Sequence, residues 1–221
     1  MKQAEENLAH EQERFRFVFE SMPVGAALAR HFPDGRVERM INDAHLRICG
    51  LTREQDQIPG IYKQITMSED HARQTELYRQ LDEGGTGGLS MEKRYRRLDG
   101  EVVWVTFFLQ RRQNADGSFD RLTMVVDITA RKRIETKLAE ASGLLEAMLE
   151  NSPDLIYFKN RESRFVRVSK GFLLRAGLTE PEMLRGKTDA DFYSGDHAQS
   201  ALANEQEIIR TGHPIVGKLE K

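Results

Sequence analysis

Cysteine is almost missing from this chain. The single Cys49 among 221 residues excludes an intramolecular disulfide framework, cannot by itself supply a thiolate-rich metal site, and points to a reducing compartment. Excess charge is missing too. The 33 Lys and Arg against 35 Asp and Glu leave a formal net charge of -2, which gives no bulk attraction to nucleic acid. Residues 1–20 are charged throughout and hold no apolar run that would serve as a signal sequence or membrane span. The expectation is a cytoplasmic region without membrane contact of its own, any anchor of the whole protein lying outside these residues.

Catalytic groupings are also lacking. His10, His31, His45, His71, His197 and His213 fall into no metal-ligand spacing such as His-Glu-x-x-His, and no nucleophile stands beside a paired base. The run Gly84-Gly85-Thr86-Gly87-Gly88 follows a helical pattern and lacks the Gly-Lys-Ser/Thr ending of a phosphate cradle, so it reads as a loop. No catalytic and no metal-ligating residue is expected, and these residues are not expected to form an enzyme by themselves.

What is present is the composition of a folded chain, 39% hydrophobic and 31% charged, long enough for two small domains or for one domain with long helices. An internal echo decides for two. Glu20-Ser21-Met22-Pro23 returns as Glu150-Asn151-Ser152-Pro153 at a separation of 130, Gly50-Leu51-Thr52 as Gly177-Leu178-Thr179 at 127, and Asp70-His71-Ala72 as Asp196-His197-Ala198 at 126. An ordered series with a slowly drifting offset is a domain repeat with loops of different length. The spacing predicts an N-terminal amphipathic helix over 1–19, a first domain over 20–129, a linking helix over 130–149 and a second domain over 150–221.

In the first copy, Val24 to Ala29 and Val37 to Ile41 read as a strand pair around the turn Pro33-Asp34-Gly35. Asn42 can cap a short helix whose Leu46 and Cys49 face inward, and Ser68 opens a longer helix carrying Leu77 and Leu81. Strand period then takes over: Met91 to Leu98 places Lys93, Tyr95 and Arg97 on one face. After the two-residue turn Asp99-Gly100, Val103, Val105 and Phe107 alternate, and Leu122 to Val126 completes a three-strand meander. Two strands, short helices, a longer helix and three strands predict an α+β fold, an antiparallel five-stranded sheet with helices on one face. The second copy repeats the opening through a helix over about Asp196 to Arg210, and residues 215–221 can start one more strand. The later strands have no counterpart, so the second domain is expected to be incomplete.

Between the copies, Ile134, Leu138, Ala141, Leu145 and Met148 are spaced 4, 3, 4 and 3. This is either the seam of a parallel coiled-coil homodimer or a cap helix packing on its own sheet. Ala4, Leu8, Phe15 and Val18 have the same form, with Glu11 at one seam position. Thr129 marks the start of the linking helix, and Asp127 can accept donors there and tie that start to the sheet.

The run Asp127-Ile128-Thr129-Ala130-Arg131-Lys132-Arg133-Ile134-Glu135 resembles the exit motif of PAS domains with their PAC tail. It follows Glu92 to Gly100 and Val103-Trp104-Val105, which look like the late strands of that family, and Gly186 to Phe192 adds to the match in the second copy. The resemblance implies tandem sensory modules of a bacterial signalling protein. They would bind a small-molecule, redox or protein cue and relay it to an output domain in cis, a diguanylate cyclase or a histidine kinase. It also implies a cavity bounded by the helix of Asn42, the helix of Leu77 and the last strands, with Trp104 either bordering a ligand ring or filling core. Non-covalent flavin, haem on a recurring His71 or His197, and no cofactor at all stay open. Cys49 lacks the context of a flavin-adduct thiol. The different-class alternative is a ligand-free protein-protein scaffold.

Overall fold

The structure, a computed structural model, describes residues 2–83, 88–193 and 195–217, with the side chains of residues 2, 4 and 5 left aside. The seam position Ala4, the glycine run at 84–87 and the end of segment 215–221 therefore lie outside the described residues. The chain divides into two compact units, residues 1–135 and 136–221.

The first unit opens with α1 (Lys2–Ser21), then β1 (Gly25–His31) and β2 (Val37–Ile41). Four helices follow, α2 (Asp43–Cys49), α3 (Arg53–Asp56), α4 (Ile61–Ile65) and α5 (Ser68–Asp82). Next come β3 (Leu89–Arg96), β4 (Val102–Gln113) and β5 (Phe119–Asp127), and α6 (Thr129–Asn151) begins at the exit of β5. The strands form one antiparallel sheet in the order β2-β1-β5-β4-β3. This is the expected α+β architecture. The chain enters by a hairpin and leaves by a meander, and β1 closes the gap by pairing with β5, Ala27 opposite Thr123.

Burial follows strand period. On β4, Val103, Val105, Phe107 and Leu109 are buried and face the helices, while their neighbours take the other face. Facing them are Leu46, Cys49, Leu51, Ile61, Ile65 and Leu81, which join the same core. Strand ends shift from expectation: β3 runs from residue 89 to 96 instead of 91 to 98, because Arg97 already turns to close the hairpin, its N–H donating to Glu101 O at 2.8 Å.

The second unit carries β6 (Tyr157–Lys159) and β7 (Phe165–Val168) as a two-stranded sheet, then α7 (Lys170–Ala176), single 3-10 turns at Pro181–Met183 and Asp189–Asp191, and α8 (Gly195–Thr211). Its core gathers Phe165, Val168, Phe172, Leu173 and Leu184. Residues 215–217 are not in a strand, and the rest of that segment lies outside the described residues.

The repeat is visible in detail. Gly50 and Gly177 both end their helices in the left-handed region, at φ 67° and 66°, where a side chain would be strained. The cap residues Asn42 and Ser169 are both fully buried. Asn42 Oδ1 accepts from Ala26 N and His45 N at 2.9 Å each, and its amide donates to Phe19 O and Val24 O at 3.0 Å. Ser169 Oγ accepts from Ile156 N and Phe172 N at 3.1 Å and donates to Asp154 O at 2.6 Å. Both side chains pin the first strand to the first short helix.

Candidate functional site

Small residues on β1 make room in the first unit. Ala27 and Ala29 face the helices where neighbouring strands present Ile41, Thr123 and Phe107, and a cavity of about 220 Å³ remains between them and α2, α4 and α5. Gly25, just before, lets α2 lie close: a Cβ there would come within 2.7 Å of His45 Cα and 2.4 Å of Val125 Cγ2. That approach brings His45 to the cavity wall, with Tyr62 from α4 and Gln74 and Tyr78 from α5.

The polar content of this wall is unusual. Lys93, at the inward register position opposite Val105, is fully buried. Its Nζ donates to Gln74 Oε1 at 2.8 Å and lies 4.3 Å and 4.0 Å from the ring centroids of Tyr95 and Phe107. Burial pushes the ammonium down to about 7 from the usual 10.5, because the charged form loses its water. Arg39 and Arg121 also line the cavity, but each is paired: Arg39 Nη2 donates to Asp56 Oδ2 at 2.5 Å, and Arg121 Nη2 to Asp82 Oδ1 at 3.1 Å. Asp56 Oδ1 further accepts from the Tyr62 hydroxyl at 2.5 Å, and burial with this bond raises that phenol far above its ordinary value. His45 stands edge-on to Tyr62 at 5.5 Å; burial pushes it down to about 4, so the imidazole is neutral, and its Nδ1 finds no partner among the described residues. No Asp or Glu is among the described residues lining the cavity. The chemistry on offer is a lysine cation with no carboxylate beside it, together with the unpartnered Arg121 Nε and His45 Nδ1, in an aromatic and aliphatic surrounding.

The residues singled out in the sequence fall elsewhere. Asn42 is no ligand contact, because all its hydrogen-bonding capacity is spent on Ala26, His45, Phe19 and Val24. Leu77 packs on the apolar core, while α5 meets the cavity through Gln74 and Tyr78. Trp104 lies on the opposite face of the sheet, since it alternates with the buried Val103 and Val105; Arg94 and Lys132 stand over its ring at 5.3 Å and 5.5 Å. Cys49 is fully buried and its thiol is pushed up to about 12, so it presents no thiolate. His71 Nε2 is engaged 3.0 Å from the carbonyls of Lys63 and Thr66, and His197 packs edge-on to Tyr193.

The size of the cavity tests the cofactors. A cavity of about 150 Å³ holds one benzene ring, so 220 Å³ holds about nine non-hydrogen atoms. A three-ring flavin or a haem macrocycle exceeds that space and would have to reach out through the open side of the cavity. Among the described residues no cluster of His, Cys, Asp and Glu could hold a metal ion.

Behind the cavity, the sheet is tied to α6. Thr129 N donates to Asp127 Oδ1 at 2.8 Å, Thr129 Oγ1 accepts from Trp104 N at 3.0 Å, and Ile128 N donates to Trp104 O at 2.9 Å. Glu92, the neighbour of Lys93 but on the outer face, pairs with Arg131 at 2.5 Å and Lys132 at 2.7 Å in the first turn of α6. Along that helix Ile134, Leu138 and Met148 are 67%, 69% and 47% exposed, Ala141 is exposed and Leu145 half-buried. No helix among the described residues is long and apolar enough to cross a membrane.

Comparison with curated proteins finds no match. Among solved structures, a sensory box histidine kinase/response regulator from Burkholderia thailandensis is 20% identical, covering 61% of this chain and 98% of that one at a TM-score of 0.45. A PAS domain of an HTR-like protein from Haloarcula marismortui is 20% identical over 58% of this chain and 100% of that one, at 0.42. A LOV protein from Rhodobacter sphaeroides is 19% identical over 54% and 68%, at 0.40. Family models match in tandem: one described as PAS domain fits residues 23–130, and a second, described as PAS fold, fits residues 149–220. With a β2-β1-β5-β4-β3 sheet under the first match and the same capped opening under the second, the chain belongs to the PAS family and carries two of its domains in series.

Proposed function

We propose that this chain is the sensory and dimerisation region of a signal-transduction protein. The first PAS domain takes a small molecule in its cavity, and α6 relays the occupied state to an output domain in cis, a diguanylate cyclase or a histidine kinase. One observation supports this most: cavity and relay helix share a strand. On β3, Lys93 points into the cavity while Glu92 holds Arg131 and Lys132 of α6, so whatever moves the strand from inside acts on the helix outside. The exposed positions Ile134, Leu138, Ala141 and Met148, spaced 4, 3 and 7, support a parallel homodimer along α6.

A nitroxide on Lys137→Cys tests both parts, since Cys49 is fully buried and escapes labelling. Pulsed electron resonance is expected to show an inter-copy distance that shifts when the cavity fills. A fixed distance under an occupant proven to bind would leave a ligand-free scaffold as the better reading, and no inter-copy distance at all would remove the dimer.

A further inference from the structure

We infer that the cavity of the first PAS domain is built for a compact monocarboxylate with a short aromatic or branched apolar body, its anionic end set on Lys93 and its body against Ala27, Ala29, Ile41 and Phe107. This rests on the reading that the cavity is the sensor site, and it names what that site recognises.

The counter-charge of Lys93 is missing from the protein itself. Its one hydrogen-bond partner among the described residues is the neutral amide of Gln74, although an ammonium has three donors. The acids of neighbouring elements are engaged with other cations. Asp70 on α5 accepts from Arg94 N at 2.9 Å and Arg94 Nε at 3.1 Å and lies 3.5 Å from Arg73; Asp56 is held by Arg39 and Tyr62; Asp82 is held by Arg121. Cys49, whose thiol is pushed up to about 12, and His45, pushed down to about 4, are both neutral near pH 7.

The second domain supplies an internal control. Lys159 also lies over two rings, 4.3 Å from the centroid of Phe165 and 5.3 Å from that of Tyr157, and its side chain is 7% exposed. There the chain provides two carboxylates, Asp189 and, at 2.6 Å, Glu205. One fold thus buries a lysine twice, with two carboxylates beside it in the second domain and none bonded to it among the described residues of the first. A buried charge without a partner is costly, and an external carboxylate offsets that cost. The space for about nine non-hydrogen atoms matches a benzoate-sized solute. Besides the Lys93 ammonium, the lining holds the buried Nε of Arg121 as an unpartnered cationic donor among the described residues; so few free donors suit one carboxylate better than a multiply charged phosphate, which needs several.

Isothermal titration calorimetry on the whole chain, with benzoate as probe and benzamide as its neutral isostere, tests this. Benzoate is expected to bind, benzamide about tenfold more weakly or less, and Lys93→Met to weaken benzoate by about tenfold or more while circular dichroism stays unchanged. Lys93→Arg, which keeps the charge, is expected to retain part of the binding. Equal binding of benzoate and benzamide, undiminished binding by Lys93→Met, or no benzoate binding up to about 10 mM would overturn the assignment. None of these touches the relay, which is read separately from the spin-label distance: benzoate that binds without moving that distance would sink the relay and leave the carboxylate site standing.

Discussion

In the second PAS domain Lys159 enters the space beside Phe165 and Tyr157 and meets Asp189 and Glu205, whereas in the first Lys93 enters the space beside Tyr95 and Phe107 and meets only Gln74. The caps differ in a parallel way. Asn42 spans four backbone groups, including Phe19 O at the end of α1; Ser169, one bond shorter in reach, holds three and leaves the preceding helix out. The same framework is thus closed on itself in one copy by charge pairing, and in the other by a larger cap with the charge left open. Satisfied ion pairs favour a fixed core; an unmet one favours an exchangeable occupant.

The caps should give the largest contrast. Asn42→Ala strands buried donors and acceptors of four bonds and is expected to cost about 4 kcal/mol, against about 2 kcal/mol for Ser169→Ala. Urea melts followed separately for each domain measure both, and equal losses would mean that the extra tie to α1 carries no stability. Next come the lysines, with opposite signs. Lys159→Met leaves two partly buried carboxylates unpaired and is expected to destabilise its domain by about 3 kcal/mol. Lys93→Met removes an uncompensated charge and is expected to stabilise the first domain by about 2 kcal/mol near neutral pH.

That gain depends on pH in a defined sense. The folded Lys93 is pushed down to about 7 from 10.5, so between these values the unfolded chain holds a proton that the folded chain resists. Wild-type stability is therefore lost as pH falls from about 10.5 to about 7 and is level below that. The advantage of Lys93→Met should be full at pH 6 and shrink toward pH 10, as read from thermal melts across the range; an advantage that grows with pH would show that the lysine is not the source. The smallest effect on folding belongs to the helices. Leu8→Glu and Leu138→Glu alter side chains that are 60% and 69% exposed, so each should move stability by only about 0.5 kcal/mol. Light scattering should nevertheless show the dimer weakened by Leu138→Glu, and a similar loss with Leu8→Glu would extend the seam to α1.

Much of the fold was legible in the sequence because turns and periods are local. Pro33-Asp34-Gly35, Asp99-Gly100 and Asp116-Gly117 delimit the hairpins, the alternation of Val103, Val105 and Phe107 marks the buried face of β4, and the drifting offset exposes the repeat. The same alternation already sends Trp104 outward, so its candidacy as a ligand wall ran against the period. The site was far less legible. On β3 charged residues occupy both faces, Lys93 on one and Glu92, Arg94 and Arg96 on the other, so hydropathy does not tell which charged side chain is enclosed. Only pairing with β4 makes 93 an inward position, through its neighbour Tyr95 opposite Val103. Gln74, Tyr78, Tyr62 and His45 come together from three helices, and no local pattern announces that convergence.

The alternation on β3 also limits how a signal can leave the domain. Sliding the strand by one residue would carry the Lys93 ammonium out to water and drive the Glu92 carboxylate into the apolar interior, so a piston motion along the strand is closed off. What stays open is torsion: a strand held in register can still coil more or less tightly about its own axis, and Arg131 and Lys132, gripped by Glu92, would then turn α6 like a key rather than push it like a rod.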